Sequence, residues 1–239
     1  MRLGLLGKKY TDTIYDVESF NEGESNDLVC SRVQLGGMYN IANANIGDMT
    51  AICYPEGDKQ AVILEDTNNS KRTAFTKDVS DRKNRSNRAV NTRHPDWLHV
   101  MYIDDIKSPH RVTEYHNNFN KFPTSVDFCT DTPREKYELI MQRCNLVFDS
   151  RERKHLYDDI SIATPIVLHD EFGCEVLIIG GTSYKYENKP IKNLKVNGAG
   201  DIFAAYFIRQ YFLHGIERAV ETACALTTEK LLEINNEKV

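Results

Sequence analysis

After Trp97 the chain alternates short apolar runs with stretches of helical pattern, and this alternation limits the fold more than any other feature. Residues Trp97–Ile103, Ser125–Cys129, Leu146–Phe148 and Pro165–Leu168 read as strands, with Glu135–Arg143 and Ser150–Tyr157 as helices between them. Strands joined through helices pair in parallel, because a tight turn cannot bring the next strand back in the same direction. The expectation is a set of βα units: a largely parallel sheet covered on both faces. Glu175–Ile179 and Ser183–Glu187, around Gly180-Gly181-Thr182, read as an antiparallel hairpin added to that sheet. From Asp201 to Leu232 the pattern is helical twice over. Phe203, Phe207, Ile208, Tyr211 and Phe212 make one apolar face, Gly215 breaks it, and Ala219, Ala223, Leu226 and Leu231 make another.

Before Trp97 the signals are shorter. Arg2 to Gly7 reads as a buried strand that delivers Lys8–Asp12 as a loop. Val29–Leu35 reads as a strand, Gly36-Gly37 breaks it, and Met38–Ile46 suits a helix stopped by Gly47. Ala51–Tyr54 and Gln60–Leu64 read as two strands, and the polar stretch Asp66–Arg93 as a flap or a solvated insertion. A length of 239 residues with 41% hydrophobic side chains suits one large domain. Thirty-five acidic against thirty basic residues leave a formal charge of -5, so no global cationic field holds nucleic acid or anionic lipid. Any bound anion must be met locally. No run reaches the ~18 to 20 apolar residues of a membrane helix, and the first seven residues are too few for a signal sequence, so a cytoplasmic protein is expected. The six cysteines form no CxxC pair and read as reduced structural thiols; the seven histidines show no zinc-ligand spacing.

Chemistry concentrates at Asn197-Gly198-Ala199-Gly200-Asp201-Ile202-Phe203. Two glycines flank one alanine at the entry to a helix, where backbone N–H groups are unpaired and the helix dipole is positive. An anion fits there, and the missing Cβ atoms of Gly198 and Gly200 let it approach the main chain. Asp201 has two readings. It can cap its own helix, lowering the energy by ~1 kcal/mol. It can also accept the proton of an attacking hydroxyl while Gly198, Ala199 and Gly200 hold the charge of a transferring phosphoryl group.

Asn197 to Ala205 resembles the C-terminal signature of the ribokinase-like family, the PfkB carbohydrate kinases. Gly36-Gly37-Met38-Tyr39-Asn40-Ile41-Ala42 is similar to that family's GGxxxN element. Gly7 followed by Asp12 resembles its first strand and substrate-binding aspartate. Asp149-Ser150-Arg151-Glu152 is similar to its NxxE element, with Asp in place of Asn. The resemblance implies a ribokinase-like three-layer α/β/α fold over residues 1–239, with a central mainly parallel sheet and a small β lid drawn from about 13–35 and 59–93. It implies ATP-dependent phosphorylation of a hydroxyl of a sugar, sugar derivative or nucleoside. Asp12, Gly36, Gly37 and Asn40 would meet the acceptor, and Asp201 would be the base. Asp149, Gly173, Lys195 and Asn197 would lie on the nucleotide side, and Glu152 would help hold Mg2+ through water. Asp127 ends a strand where the family often has an acid near the phosphates. Lids in the family often pair between subunits, which points to a homodimer. The implied partners are a nucleotide and a sugar-like small molecule, with no nucleic acid and no membrane.

Several positions depart from the pattern. The family usually has Asp-Thr two positions before GAGD; here Lys195 and Val196 stand there, and an ammonium cannot ligate a cation. Lys195 instead places its charge near a phosphate or points into solvent. Leu168-His169-Asp170-Glu171-Phe172-Gly173 keeps only the last glycine of a Thr-x-Gly-x-x-Gly loop, and its two acids would repel a triphosphate. These departures motivate the alternative of a catalytically impaired, kinase-like sugar-binding or regulatory protein. An acceptor that already carries phosphate would need a cation in the cleft, and Lys8, Lys9, Lys71 and Arg72 are the candidates.

Overall fold

The computed structural model describes residues 1–19, 21, 26–66, 71–79, 95–106, 122–178, 183–191 and 197–236. Ten strands form one sheet: β1 (Arg2–Val17), β2 (Leu28–Gly37), β3 (Thr50–Asp66), β4 (Lys71–Asp78), β5 (Trp97–Val100), β6 (Thr124–Asp127), β7 (Leu146–Ser150), β8 (Ile166–Asp170), β9 (Gly173–Leu177) and β10 (Ser183–Glu187). Their order is β10-β9-β8-β7-β6-β5-β1-β3-β4, with β2 also paired to β1. From β3 through β1 to β8 the neighbours run parallel, and the β8–β9–β10 end is antiparallel.

The central strands are buried on both sides, as continuous apolar runs such as Leu146-Val147-Phe148 require. On one face Leu3, Leu5, Trp97, Phe148 and Val176 pack against α1 (Met38–Asn43), α3 (Ala199–His214) and α4 (Ile216–Asn236) through Ile41, Phe203, Phe207 and Ala223. On the other face Leu6, Val100, Val147 and Leu168 meet Phe128, Tyr137, Met141 and Tyr157. This second layer is thin. The helix expected over Glu135–Arg143 is a 3-10 turn at Arg134–Tyr137 followed by one α-turn, α2 (Glu138–Met141), and Arg151–Tyr157 is 3-10 throughout. Among the described residues no helix is long and apolar enough to cross a membrane. All six cysteines are free thiols; Cys144, Cys174 and Cys224 are buried, whereas Cys30 and Cys129 are exposed.

Two expectations before Trp97 are corrected. Lys8–Asp12 is not a loop: β1 continues to Val17, with a register shift against β3 between Gly7 and Lys9. The cause is visible in Tyr10-Thr11-Asp12-Thr13-Ile14-Tyr15-Asp16, where β-forming residues alternate with a buried set at Tyr10, Asp12, Ile14 and Asp16. The two strands expected at 51–54 and 60–64 are one, β3, which passes through Pro55. Proline is tolerated there because β4 pairs β3 only from Lys59 onward, so Pro55 lies on an open edge. Beyond the shift, β1 and β3 leave the core sheet and, with β2 and β4 antiparallel on their outer sides, form a four-stranded lid. Part of the polar stretch after Asp66 is therefore the lid strand β4. Residues 67–70, 80–94 and 180–182 lie outside the described residues.

Candidate active site

Gly198 precedes α3 with φ +83°, a left-handed conformation that favours glycine. A Cβ there would stand 2.7 Å from Asn40 Cγ, and one at Gly200 would stand 3.0 Å from His169 Cε1. The Ile202 N–H donates to Gly198 O (3.0 Å) and closes the first turn. The amides of Ala199, Gly200 and Asp201 precede that bond, at the positive end of a 16-residue helix.

Asp201 is buried in the first turn and does not cap its own helix. Its Oδ2 accepts from Asn40 Nδ2 (2.7 Å) and its Oδ1 from the Tyr102 hydroxyl (2.6 Å). Burial pushes its carboxyl up to about 6, against the pull of those two donors and of the Arg72 charge. Each carboxylate oxygen retains a free lone pair, so a base of this strength can still take a proton near neutral pH. Asn40 reaches it from α1, which begins where Gly37 turns the chain at φ +60°. Tyr102 reaches it from the carboxyl end of β5 and is itself left-handed at φ +55°, a conformation disfavoured for a bulky side chain.

Across from the Gly198–Gly200 turn, which we call the cradle, the inner face of the lid presents Asp12. It is buried, and burial raises its pKa. Asn197 Nδ2 approaches Asp12 Oδ2 at 3.4 Å, and Arg72 Nη1 donates to Asn197 Oδ1 at 2.6 Å. Gly36 is explained by this carboxylate: a Cβ there would fall 2.0 Å from Asp12 Oδ2. A Cβ at Gly37 would press on the Tyr10 ring at 2.7 Å.

Asp12, Gly37, Asn40, Arg72, Tyr102 and Asn197 to Asp201 wall a cavity of about 780 Å3, which also touches Asp127, Glu152, Arg153, His169, Asp170 and Glu171. Asn188, Pro190 and Ile191 also line it, together with Cys224, Thr227 and Leu231 of α4. Asp127 is buried at the end of β6, and burial followed by the charge of Asp201 raises its pKa well above the ordinary carboxylate range. His169 lies against the Phe203 ring, with centroids 4.7 Å apart, and burial brings its pKa down to about 4. Asp170 is held by Arg151 at 3.2 Å, so one of the two acids in this loop is already neutralised.

Three expected positions, Gly36, Asp149 and Gly173, are not part of the cavity wall; Gly36 instead backs the Asp12 carboxylate. Asp149 is fully buried and serves as an ion-pair node: its Oδ2 accepts from Arg134 Nη2 and from the Tyr157 hydroxyl (both 2.7 Å), and its Oδ1 from Arg153 Nε (2.5 Å). Gly173 turns β8 into β9 at φ +136°, where a Cβ would strike Tyr186 O at 2.0 Å. Lys195 lies outside the described residues. Of the candidate acceptor-side cations, Lys8 is taken by Asp78 (2.8 Å) and Asp105 (3.3 Å), while Arg72 lines the cavity.

Sequence reasoning missed Tyr102 and the pin at the base of the lid. Asp105, just after β5, accepts from the Tyr10 hydroxyl and from Lys59 Nζ (both 2.5 Å), tying β1 and β3 to the body. The one signal available was topological: ligands gather beyond the carboxyl ends of parallel strands, and Tyr102 to Asp105 follow β5.

No protein-family model matches the chain, and no curated protein matches its sequence. Solved structures do match over nearly its full length. Ribokinase from Cryptococcus neoformans var. grubii, solved in complex with ADP, shares 13% identity with a TM-score of 0.69, covering 100% of this chain and 99% of that chain. Ribokinase from Thermotoga maritima shares 14% with a TM-score of 0.64, covering 98% and 99%. The nucleoside kinase of Burkholderia thailandensis, in complex with inosine, shares 15% with a TM-score of 0.64, covering 95% and 89%. The chain therefore has the ribokinase-like α/β fold that its motifs led us to expect.

Proposed function

We propose that this protein is an ATP-dependent phosphotransferase that phosphorylates a hydroxyl of a sugar, sugar derivative or nucleoside. The observation that carries the reading is Asp201: a buried carboxylate with its pKa near 6, pinned by Asn40 and Tyr102, beside the free amides of a glycine-flanked helix start. A hydroxyl held between Asp12 and Asp201 would lose its proton to Asp201, and the Ala199 to Asp201 amides would meet the negative charge that develops on the transferred group. Asp12, Asn40 and Asn197 supply the mixed donors and acceptors that a polyol needs, since each unmatched hydroxyl is costly to bury. The fold supports the reading, because structures that share it include kinases in complex with ADP and with inosine.

The nucleotide supplies the phosphoryl group. Its phosphates would meet the cradle, where Cβ atoms at Gly198 and Gly200 would crowd Asn40 and His169, and its base would lie toward the α4 part of the wall. Glu152 is an exposed carboxylate of the cavity wall, and it would help hold Mg2+ through water as the ion accompanies the phosphates. The alternative of an impaired, sugar-binding protein draws on the acidic loop after β8, and the Arg151–Asp170 pair weakens that objection.

We also propose that two copies pair through the lid. On its outer face Val33, Thr13, Val62 and Phe75 form one cross-strand row, and Val33 and Phe75 are 69% and 61% exposed. An apolar row of this kind on a sheet face marks an interaction surface.

The function is tested by incubating the protein with γ-labelled Mg-ATP and a panel of sugars and nucleosides. Label transferred to one acceptor class by the natural protein, and not by Asp201→Asn, is the expected result. Binding of an acceptor with no transfer to any member of the panel, and no thermal shift with Mg-ATP or Mg-ADP, would favour the impaired alternative.

A further inference from the structure

Arg72 is a cation of the cavity wall that the reading above leaves unused. It lies on the inner face of β4, opposite Glu65 of β3, and lines the cavity from the lid side. One guanidinium nitrogen, Nη1, donates to Asn197 Oδ1 across 125 residues of sequence. Among the described residues Arg72 joins no ion pair, although its charge reaches both Asp12 and Asp201 and lowers the pKa of each against the effect of burial. The neighbouring lid cations are committed: Lys59 to Asp105 and Lys8 to Asp78. Arg72 thus retains most of its five donors beside the residue that immediately precedes Gly198.

A guanidinium presents its donors as a planar fork that matches phosphate oxygens two at a time. A cation meant only for the acceptor's hydroxyls would be redundant, because Asp12 and Asn40 already fill that role with neutral and negative groups. Anchoring on Asn197 instead puts the charge beside the residue that immediately precedes Gly198 and the helix-start amides. We propose that Arg72 is a lid-borne phosphoryl clamp: held by Asn197, it contacts the terminal phosphoryl group of the nucleotide bound at Gly198 to Gly200. The proposal rests on the kinase reading above and adds that the charge on the transferred group is offset from the lid by an arginine.

The test is a comparison of binding rather than turnover. Titration calorimetry with Mg-ADP and with the magnesium salt of the β,γ-imido analogue of ATP gives the triphosphate-to-diphosphate affinity ratio for the natural protein, Arg72→Ala, Arg72→Lys and Asn197→Ala. Arg72→Ala should lower that ratio about tenfold through loss of the triphosphate alone, as expected for one charge-assisted contact. Arg72→Lys should recover part of it, and Asn197→Ala should lower it less. Because the Arg72 side chain is exposed, its removal leaves the fold intact, and an unchanged melting temperature verifies this. An unchanged ratio in Arg72→Ala overturns the clamp. If the ratio holds while ribose 5-phosphate loses affinity and ribose does not, the arginine serves a phosphate on the acceptor and the clamp is likewise overturned. Failure of the natural protein to bind either nucleotide defeats the kinase reading itself, and the clamp with it.

Discussion

Replacing Asp201 by Asn should abolish phosphoryl transfer and, at neutral pH, make the protein more stable. The carboxyl is pushed from 3.8 to about 6, chiefly by burial. A folded-state pKa above the unfolded value means that the folded protein holds this proton more tightly, so ionising the group works against the fold. Its contribution to stability is fullest below pH 4, declines as pH rises through the window from about 4 to 6, and is flat above. At about 1.4 kcal/mol per pH unit the decline amounts to about 3 kcal/mol. Asn is nearly isosteric and does not titrate, and Asn40 can flip its amide to face it, so the variant should lack this decline. Removing the charge also relieves Asp127, whose pKa the Asp201 charge helps to raise. Denaturant unfolding of both proteins between pH 4 and pH 8 gives the difference for Asp201 together with the groups its charge touches, because the remaining titrating groups are common to both. The expected outcome is near-equal stability at pH 4 and an advantage of about 3 kcal/mol for Asn at pH 8, worth about 6 to 12 °C in Tm for a chain of this size. Transfer should fall by at least a hundredfold at every pH. Parallel stability curves would show that the carboxyl ionises normally, and the argument for a buried base would fail.

Three further outcomes follow from the same geometry. Tyr102→Phe removes a donor that favours ionised Asp201, so the acid limb of the pH–kcat profile should move to higher pH; a limb that stays in place would disconnect Tyr102 from the base. Gly36→Ala places a methyl group 2.0 Å from Asp12 Oδ2, so acceptor affinity should drop by about tenfold or more while Mg-ADP binding holds, and unaltered acceptor binding would remove Asp12 from that site. Val33→Asp combined with Phe75→Asp should convert a lid-paired dimer to monomer in sedimentation velocity; a natural protein that sediments as a monomer at micromolar concentration would rule out the pairing.

What the sequence made legible was whatever depends on local pattern. The parallel core after Trp97 follows from alternating apolar runs, and the cradle from two glycines before a helix. Asp12 reads as a loop residue in the sequence because two of the four inward positions around it, Asp12 and Asp16, are acids, which breaks the apolar alternation that usually marks a strand. The Asp201–Asn40 contact spans 161 residues and the Asp201–Tyr102 contact 99, and no periodicity encodes pairings at such distance. Asp149 shows the opposite error. An acid at the end of a strand looks alike in sequence whether it faces phosphates or a buried arginine, and only the packing of Arg134, itself fully buried against the Phe128 ring, assigns it to the latter.

The lid and the cradle are mechanically one object because β1 and β3 run unbroken from the core sheet into the lid. Asp105 grips Tyr10 and Lys59 at the base of that extension. From Lys59 to Glu65, the partner of Arg72, is six residues along β3, a lever of about 20 Å at about 3.3 Å per residue. A tilt of about 10° at the pin would carry the Arg72 end by about 3 Å over such a lever, as much as a whole hydrogen-bond length. The Arg72–Asn197 bond therefore forms only over a narrow range of lid angles. Asp12 meets the same Asn197 side chain from β1, so the Arg72–Asn197 and Asp12–Asn197 contacts both depend on one position of the lid.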